Sequence, residues 1–293
     1  MIPADKENLD QIKIKAKTLV EAAPWIRKFQ DKIVVIKFGG NAMVDEELQR
    51  TFAEDVAFLR LVGIHAVVVH GGGPQISAGL ADAGIESSFV DGLRVTSPEA
   101  ITVIRDVLKT QIGEPLAQMI VDADGKAEVF NGETEGLFTA SQTRTDLGLV
   151  GVVSSVSTEP ILRSLEAGVI PVIATVAPDS SGRLLNVNAD LAASSLAVAL
   201  QAEKLIVLTD VPGLYSNWPS LDSLISEISV SELEELLPSL ESGMIPKMQA
   251  CLEAVRGGVP KAHIIDGRIQ HSLLLEIFTT AGIGTLVTQG DRN

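Results

Sequence analysis

The chain has 293 residues, 46% of them apolar and only 4% aromatic, and 23 basic against 38 acidic residues give a formal net charge of −15. An acidic balance of this size argues against a nucleic-acid-binding protein, which needs clustered cations, and the single cysteine, Cys251, excludes an intramolecular disulfide or a cysteine-held zinc site. The start Met1-Ile2-Pro3-Ala4-Asp5 carries no basic-then-apolar leader, and no run approaches the roughly 18 apolar residues of a membrane span, so a cytoplasmic protein without a membrane partner is expected.

Ala, Val, Leu, Ile and Gly dominate, which predicts an α/β protein built on an open, mainly parallel sheet sandwiched by helices. Residues 11–29 place Ile12, Ala16, Leu19, Ala23 and Ile26 at helical spacing, with Pro24 expected to kink the helix. This helix precedes the first core strand and completes no βαβ unit, so its apolar stripe must fold back on its own domain or pack on another subunit, and the second is the favoured expectation. Ile33-Val34-Val35-Ile36 has no polar alternation and reads as a strand buried on both faces. It ends in Lys37-Phe38-Gly39-Gly40-Asn41, a cation followed by bare backbone, which suits a phosphate; a strand-end lysine reaching solvent is the plainer alternative.

A helix over 44–62 leads to a second strand, 66–70, which runs into Gly71-Gly72-Gly73-Pro74 and a helix over 74–84. Two glycine turns after neighbouring parallel strands both lie at the carboxyl edge of one sheet, where open α/β sheets bind ligands. Helices follow over 97–110 and 113–122, a strand near 126–130, short antiparallel hairpins to about 157, a helix over 158–167 and a strand over 169–174. Asn186-Val187-Asn188-Ala189-Asp190 opens a helix over 190–201. Strand 205–209, helices near 230–237, 247–256 and 272–280, and strands 262–265 and 284–288 complete the chain. The expected organisation is a helical arm over 1–30, a lobe over 31–180 and a second lobe over 181–293, in one continuous unit.

Neither a P-loop nor a G-x-G-x-x-G string occurs, and no G-x-S-x-G accompanies His70-Gly71-Gly72-Gly73, which argues against a dinucleotide fold and a hydrolase. Three cations stand out. Lys37 closes a buried strand, Arg94 sits in the loop Gly92-Leu93-Arg94-Val95 and suits a carboxylate clamp or a structural salt bridge, and Lys247 is either a solvated surface lysine or a functional cation in the first turn of a helix, where the macrodipole disfavours it. Asp190 and Asn188 read either as helix caps or, for Asp190, as the partner of both lysines, with Asn186 on substrate. Asp210 with Gly213 and Tyr215 is an ordinary turn or a nucleoside seat. His65 and His263 read as core or rim residues, and His271 with Glu276 is a weak metal pair.

Lys37-Phe38-Gly39-Gly40-Asn41, His70-Gly71-Gly72-Gly73-Pro74, Gly92-Leu93-Arg94-Val95, Asn186-Val187-Asn188-Ala189-Asp190 and Gly243-Met244-Ile245-Pro246-Lys247 occur in that order. Together they resemble the amino acid kinase family across residues 11–288, and within it the branch acting on N-acetyl-L-glutamate. Glu21-Ala22-Ala23-Pro24-Trp25, His271-Ser272-Leu273-Leu274-Leu275-Glu276 and Gly282-Ile283-Gly284-Thr285 resemble the arm and the arginine site of its arginine-inhibited, hexameric members. The resemblance implies phosphorylation of the γ-carboxylate by ATP, with Mg²⁺ carried by the nucleotide phosphates. Gly72 and Gly73 then donate N–H groups around the reacting carboxylate and phosphoryl, and Arg94 and Asn186 hold the α-carboxylate end. Lys37 and Lys247 neutralise the phosphoryl in flight, Asp190 organises both, and Gly40 and Asn41 line the nucleotide phosphates. His271, Glu276, Gly282 and Gly284 bind arginine, and a homo-hexamer forms as a trimer of dimers. A compact 131–148 segment departs from the family's pattern. A carbamate or glutamate kinase, or a catalytically silent arginine-sensing protein on the same fold, is the alternative.

Overall fold

A computed structural model of the chain describes residues 6–90, 92–280 and 282–290, without the side chains of residues 6–8, Asn41 and Leu221. In chain order the elements are α1 (Lys6–Phe29), β1 (Ile33–Phe38), α2 (Glu46–Leu61), β2 (His65–His70), α3 (Gly73–Asp82), β3 (Phe89–Val90), β4 (Leu93–Arg94), α4 (Pro98–Asp106), α5 (Glu114–Asp122) and β5 (Ala127–Phe130). There follow β6 (Phe138–Gln142), β7 (Val150–Val156), α6 (Glu159–Glu166), β8 (Ile170–Ala174), β9 (Val176–Pro178), β10 (Leu184–Val187), α7 (Ala189–Ala199) and β11 (Lys204–Thr209). The remainder is β12 (Leu214–Tyr215), β13 (Leu224–Ile225), β14 (Glu227–Ser229), α8 (Val230–Leu236), α9 (Ile245–Arg256), β15 (Ala262–Asp266), α10 (Ser272–Phe278) and β16 (Thr285–Thr288).

Eight strands form one sheet in the order β14-β16-β15-β11-β1-β2-β8-β5, parallel except where β16 meets β15. β1 lies at its centre, paired along both edges with β2 and β11, and Val34–Phe38 are buried. Val35 joins the core that includes Leu196 and Met248, whereas Val34, Ile36 and Phe38 join the core that includes Val56 and Ile104. The alternation of a pleated strand therefore sends Lys37, two residues after Val35, to the α7 face. A second sheet, β6-β7-β10-β9, holds an expected antiparallel hairpin as β6 against β7. The 131–148 segment spans β6 between two short 3₁₀ turns, and Gly148 bridges Thr96.

One helical expectation is revised. The helices expected over 97–110 and 113–122 are one continuous helix, because a π-helical segment, Val107–Gly113, joins α4 to α5 without leaving helical backbone angles. α1 holds Pro24 within its Lys6–Phe29 span. Trp25 and Phe29 pack on the body, while Leu19 and Val20 are 70% and 72% exposed. Residues 1–5 of the expected arm lie outside the described residues. Among the described residues no helix is long and apolar enough to cross a membrane.

Candidate active site

β1, β2, β8 and β11 are mutually parallel, so Gly39, Gly71, Thr175 and Asp210, each one residue past a strand end, lie along one sheet edge. A cavity of about 360 Å³ opens there, lined by Lys37, Gly40, Gly72, Gly73, Arg94, Asn186, Asp190, Asp210 and Lys247 among others. Residues spread over more than two hundred positions meet in it. The two glycine turns are stitched together by the Met43 carbonyl, which accepts from Gln75 Nε2 at 2.8 Å and Gln49 Nε2 at 2.6 Å.

Asp190 sits in the first turn of α7, where its carboxylate is favoured, and Asn188 caps that helix by accepting from the Asp190 and Leu191 amides at 2.9 and 3.2 Å. Asn188 is therefore the cap and Asp190 the ionic partner. Lys37 Nζ lies 3.0 Å from Asp190 Oδ1, an ion pair off the hydrogen-bonding line, and Lys247 Nζ donates to Asp190 Oδ2 at 3.3 Å. Burial pulls the Lys37 pKa down, and the Lys247 charge adds to that, while Asp190 opposes it. Burial pushes the Asp190 carboxyl up, but the two ammonium groups win and hold it below its ordinary value. The result is a buried carboxylate bridging two cations, with Lys247 the more exposed of the pair.

Gly39, Gly40 and Gly72 are dictated by what surrounds them. A Cβ on Gly39 would collide with the Lys37 ammonium, which folds back over that residue, and one on Gly40 (φ 78°) would collide with the Asp210 carboxylate. A Cβ on Gly72 would strike Ile112 and Leu108 of the π segment, whereas Gly73 faces open space. The side chain of Asn41 lies outside the described residues.

Arg94 is buried, stacks over Phe89 at 4.5 Å, and donates to Ser87 Oγ, to the Gly73 carbonyl at 3.0 Å and to Ser77 Oγ at 2.9 Å. Three of its five N–H donors are thereby used, and two remain for a ligand. Asn186 Nδ2 donates to Thr96 Oγ1 at 3.2 Å, and Thr96 donates to the Arg94 carbonyl at 3.1 Å, so these two cavity-lining residues share one network. Phe89, Thr175 and Leu108 also line the cavity and were not anticipated; apolar or small residues beside a polar cluster carry no signal at sequence level.

Of the nucleotide-side candidates, Gly40 and Asp210 line this cavity, and Gly213 and Tyr215 do not. Gly213 packs against Gly284 and Thr285, whose Oγ1 accepts from the Leu214 amide at 2.8 Å, and Tyr215 meets Trp218 edge-on with ring centroids 5.1 Å apart.

A second cavity, about 680 Å³, lies between the end of α1, β11, β15 and α10, and Glu276, Gly282 and Gly284 line it. Glu276 Oε1 accepts from Lys204 Nζ at 2.7 Å and from His263 Nε2 at 2.9 Å, and Oε2 accepts from the Ile283 amide at 3.0 Å. Burial works against this carboxylate, but the His263 hydrogen bond and the Lys204 charge hold it at about 2. His263 is the buried strand residue expected, and it also donates to this carboxylate beside Lys204, while burial lowers its own pKa. His271 does not line the cavity. Its left-handed backbone (φ 56°) opens α10, and its Nδ1 lies 2.6 Å from the buried Asp55 carboxylate on α2. As a metal pair His271 and Glu276 are separated, and among the described residues no three His, Cys, Asp or Glu side chains group as metal ligands.

The pattern of the amino acid kinase family matches residues 32–266. An acetylglutamate kinase of Rhodococcus jostii is 56% identical over 283 residues, covering 94% of this chain and 92% of that protein. Among solved structures, an N-acetylglutamate synthase from Neisseria gonorrhoeae complexed with coenzyme A and N-acetyl-glutamate superposes with a TM-score of 0.83 at 26% identity, over 94% of this chain. The chain spans 64% of that synthase's length. The same synthase complexed with coenzyme A and L-arginine gives a TM-score of 0.78 at 26% identity, covering 94% of this chain and 65% of that chain. A carbamate kinase from Giardia lamblia bound to AMP-PNP shares the fold, with a TM-score of 0.65 at 20% identity over 88% of this chain and 98% of that one. Two lysines on one buried aspartate above a glycine-lined sheet edge, together with these likenesses, place the chain in the amino acid kinase family.

Proposed function

We propose that the chain transfers the γ-phosphoryl group of ATP to the γ-carboxylate of N-acetyl-L-glutamate, giving N-acetylglutamyl 5-phosphate for arginine biosynthesis. The observation that carries this is the convergence of Lys37 and Lys247 on Asp190 beside the Gly71–Gly73 turn. The acceptor is a carboxylate, already ionised at neutral pH, so no general base is needed. What the reaction requires is alignment and neutralisation of charge spread over the transferring phosphoryl oxygens. Two ammonium groups held by one carboxylate supply a net positive charge at a fixed place. The Gly72 and Gly73 amides complete the cradle, Arg94 with Asn186 holds the α-carboxylate end, and Gly40, Asn41 and Asp210 face the nucleotide, with Gly213 and Tyr215 further out along the same edge. The family implies ATP with a divalent metal. Asp190 is committed to the two lysines, so Mg²⁺ is held mainly by the nucleotide phosphates, where it shields their charge.

In this reading residues 31–180 bind the acyl amino acid, 181–293 bind the nucleotide, and the reaction takes place in the cytoplasm. Each half contributes four strands to the central sheet, β1, β2, β5 and β8 from one and β11, β14, β15 and β16 from the other. Arginine occupies the larger cavity, its guanidinium on Glu276 and its backbone groups near Gly282 and Gly284, with His271 acting from behind through α10. The exposed apolar stripe of α1 pairs with its counterpart on another subunit in a hexameric trimer of dimers. The exposure of Leu19 and Val20 supports that arm role.

Trapping acyl phosphate with hydroxylamine, offered N-acetylglutamate, glutamate, aspartate and carbamate in parallel, tests the assignment. Hydroxamate from N-acetylglutamate at the highest kcat/KM is expected; turnover of carbamate alone refutes it.

A further inference from the structure

His70 closes β2, is fully buried, and has no part in the transfer chemistry above. Its strand register pairs it with Phe38, whereas Lys37 pairs with Val69. The two side chains therefore leave the sheet on opposite faces, and His70 enters the layer of the π-helical segment. There the place a Cβ of Gly113 would take is 3.2 Å from His70 Nε2.

His70 Nδ1 lies 3.0 Å from the carbonyl oxygen of the next residue, Gly71. A carbonyl can only accept, so Nδ1 carries the ring proton, and the Nε2 lone pair has no partner among the described residues. Burial lowers the imidazole pKa to about 4, which keeps the ring neutral. Both polar groups of Gly71 are thus committed, its N–H to the Phe38 carbonyl at 2.9 Å and its own carbonyl to His70. Among the described residues the cis peptide is Trp218–Pro219, so the Gly71–Gly72 bond is trans and its C=O and N–H point in opposite directions. Holding the Gly71 carbonyl on the π-segment side turns the Gly72 N–H away from that side. Among the described residues no protein acceptor takes that N–H. Ile112 and Leu108 of the π segment close off the remaining side of Gly72.

We infer that His70 is a positioning residue for phosphoryl transfer: its Nδ1–H pins the Gly71 carbonyl and thereby aims the Gly72 amide into the cavity. The inference rests on the proposed kinase reading for what the amide meets there, but the pinning itself does not. An N–H aimed at developing charge acts only while its direction is held. A neutral imidazole of fixed tautomer holds it without adding a charge beside the two ammonium groups.

Three variants of the full chain separate positioning from packing. His70→Asn sets an amide N–H where Nδ1 stands, His70→Gln moves the donor outward, and His70→Leu keeps volume without a donor. His70→Leu and His70→Gln are expected to lower kcat about 10- to 100-fold, with KM for ATP changed less than about threefold. His70→Asn is expected to recover kcat to within about fivefold of wild type. In the wild-type protein the imidazole ¹⁵N spectrum is expected to show the proton on Nδ1 throughout the neutral range, and the Gly72 amide resonance to move in His70→Gln and return in His70→Asn. A kcat within about threefold of wild type in both His70→Leu and His70→Gln overturns the proposal, as does a His70→Asn variant as slow as His70→Leu. A wild-type proton on Nε2 overturns it even where every variant fails to fold. If wild type makes no hydroxamate from N-acetylglutamate, the kinase reading falls, and the tautomer and the Gly72 resonance still decide whether His70 pins Gly71.

Discussion

Replacing Asp190 with Asn is the perturbation that most directly probes the site, because one neutralised carboxylate leaves two cations without their shared counter-charge. At 3.0 and 3.3 Å each ion pair is worth about 5 kcal/mol at an effective dielectric of about 20, before the cost of desolvating the groups. That cost offsets much of the attraction, so the measurable loss is the one typical of a buried pair with one partner removed, about 3–5 kcal/mol of unfolding free energy. Urea denaturation at neutral pH reads it. Catalysis should fall further than stability suggests. Lys37 already has its pKa lowered by burial, and Asp190 is what opposes that shift. Without Asp190 the lysine loses its proton at lower pH, so the alkaline limb of kcat moves down by at least about one pH unit, and kcat at neutral pH drops on the order of 10²-fold. KM for ATP should change only a few-fold, since unpaired ammonium groups still attract a polyanion. A coupled ADP-release assay across pH gives all three quantities. A variant with kcat within threefold of wild type and an unmoved alkaline limb would show that Asp190 merely starts α7, and the bridging argument would fail.

Lys37→Ala and Lys247→Ala should each lower kcat on the order of 10²-fold with smaller effects on KM; near-normal steady-state rates in both would remove them from the mechanism. Gly40→Ala adds a Cβ against the Asp210 carboxylate at φ 78°, so kcat/KM for ATP should fall at least about tenfold, whereas Gly84→Ala, at φ 69° with open space around it, should cost only about 1 kcal/mol of stability and little activity. Asp55 is raised to about 6 by burial, against the His271 hydrogen bond. The fold therefore favours its protonated form, and that contribution is full below about pH 4 and lost as pH rises through about 6. Asp55→Asn should accordingly gain about 1–3 kcal/mol at pH 7.5 and nothing at pH 4; destabilisation at pH 7.5 in urea titrations would refute this. Glu276→Gln should raise the arginine concentration needed for half-inhibition at least about tenfold, and an unchanged inhibition curve would remove the larger cavity as the effector site.

The central strands were legible because burial on both faces leaves no room for polar alternation, and Ile33–Val35 with Ala66–Val69 has none. The glycine turns were legible for a related reason: Gly39 and Gly40, approached closely by Lys37 and Asp210, and Gly72, approached by Ile112 and Leu108, tolerate no side chain. The continuous 98–122 helix was not, because Gly113 and Pro115 carry the same local signal whether a helix stops or widens into a π turn. His263 and Lys204 gave no sign of being one buried cluster with Glu276, since their pairing is made by neighbouring strands and a distant helix.

Chain chemistry alone thus determined which residues are able to bind an anion: a lysine closing a buried strand, glycines after two strands, a lysine at a helix start where the dipole disfavours it. Whether those residues meet was decided by tertiary structure. Parallel strands put their carboxyl ends on one edge, strand parity turned Lys37 toward α7, and the folding of α9 against α7 brought Lys247 to the same carboxylate. Convergence of charges depends on distances between residues remote in sequence, and no local pattern encodes such a distance.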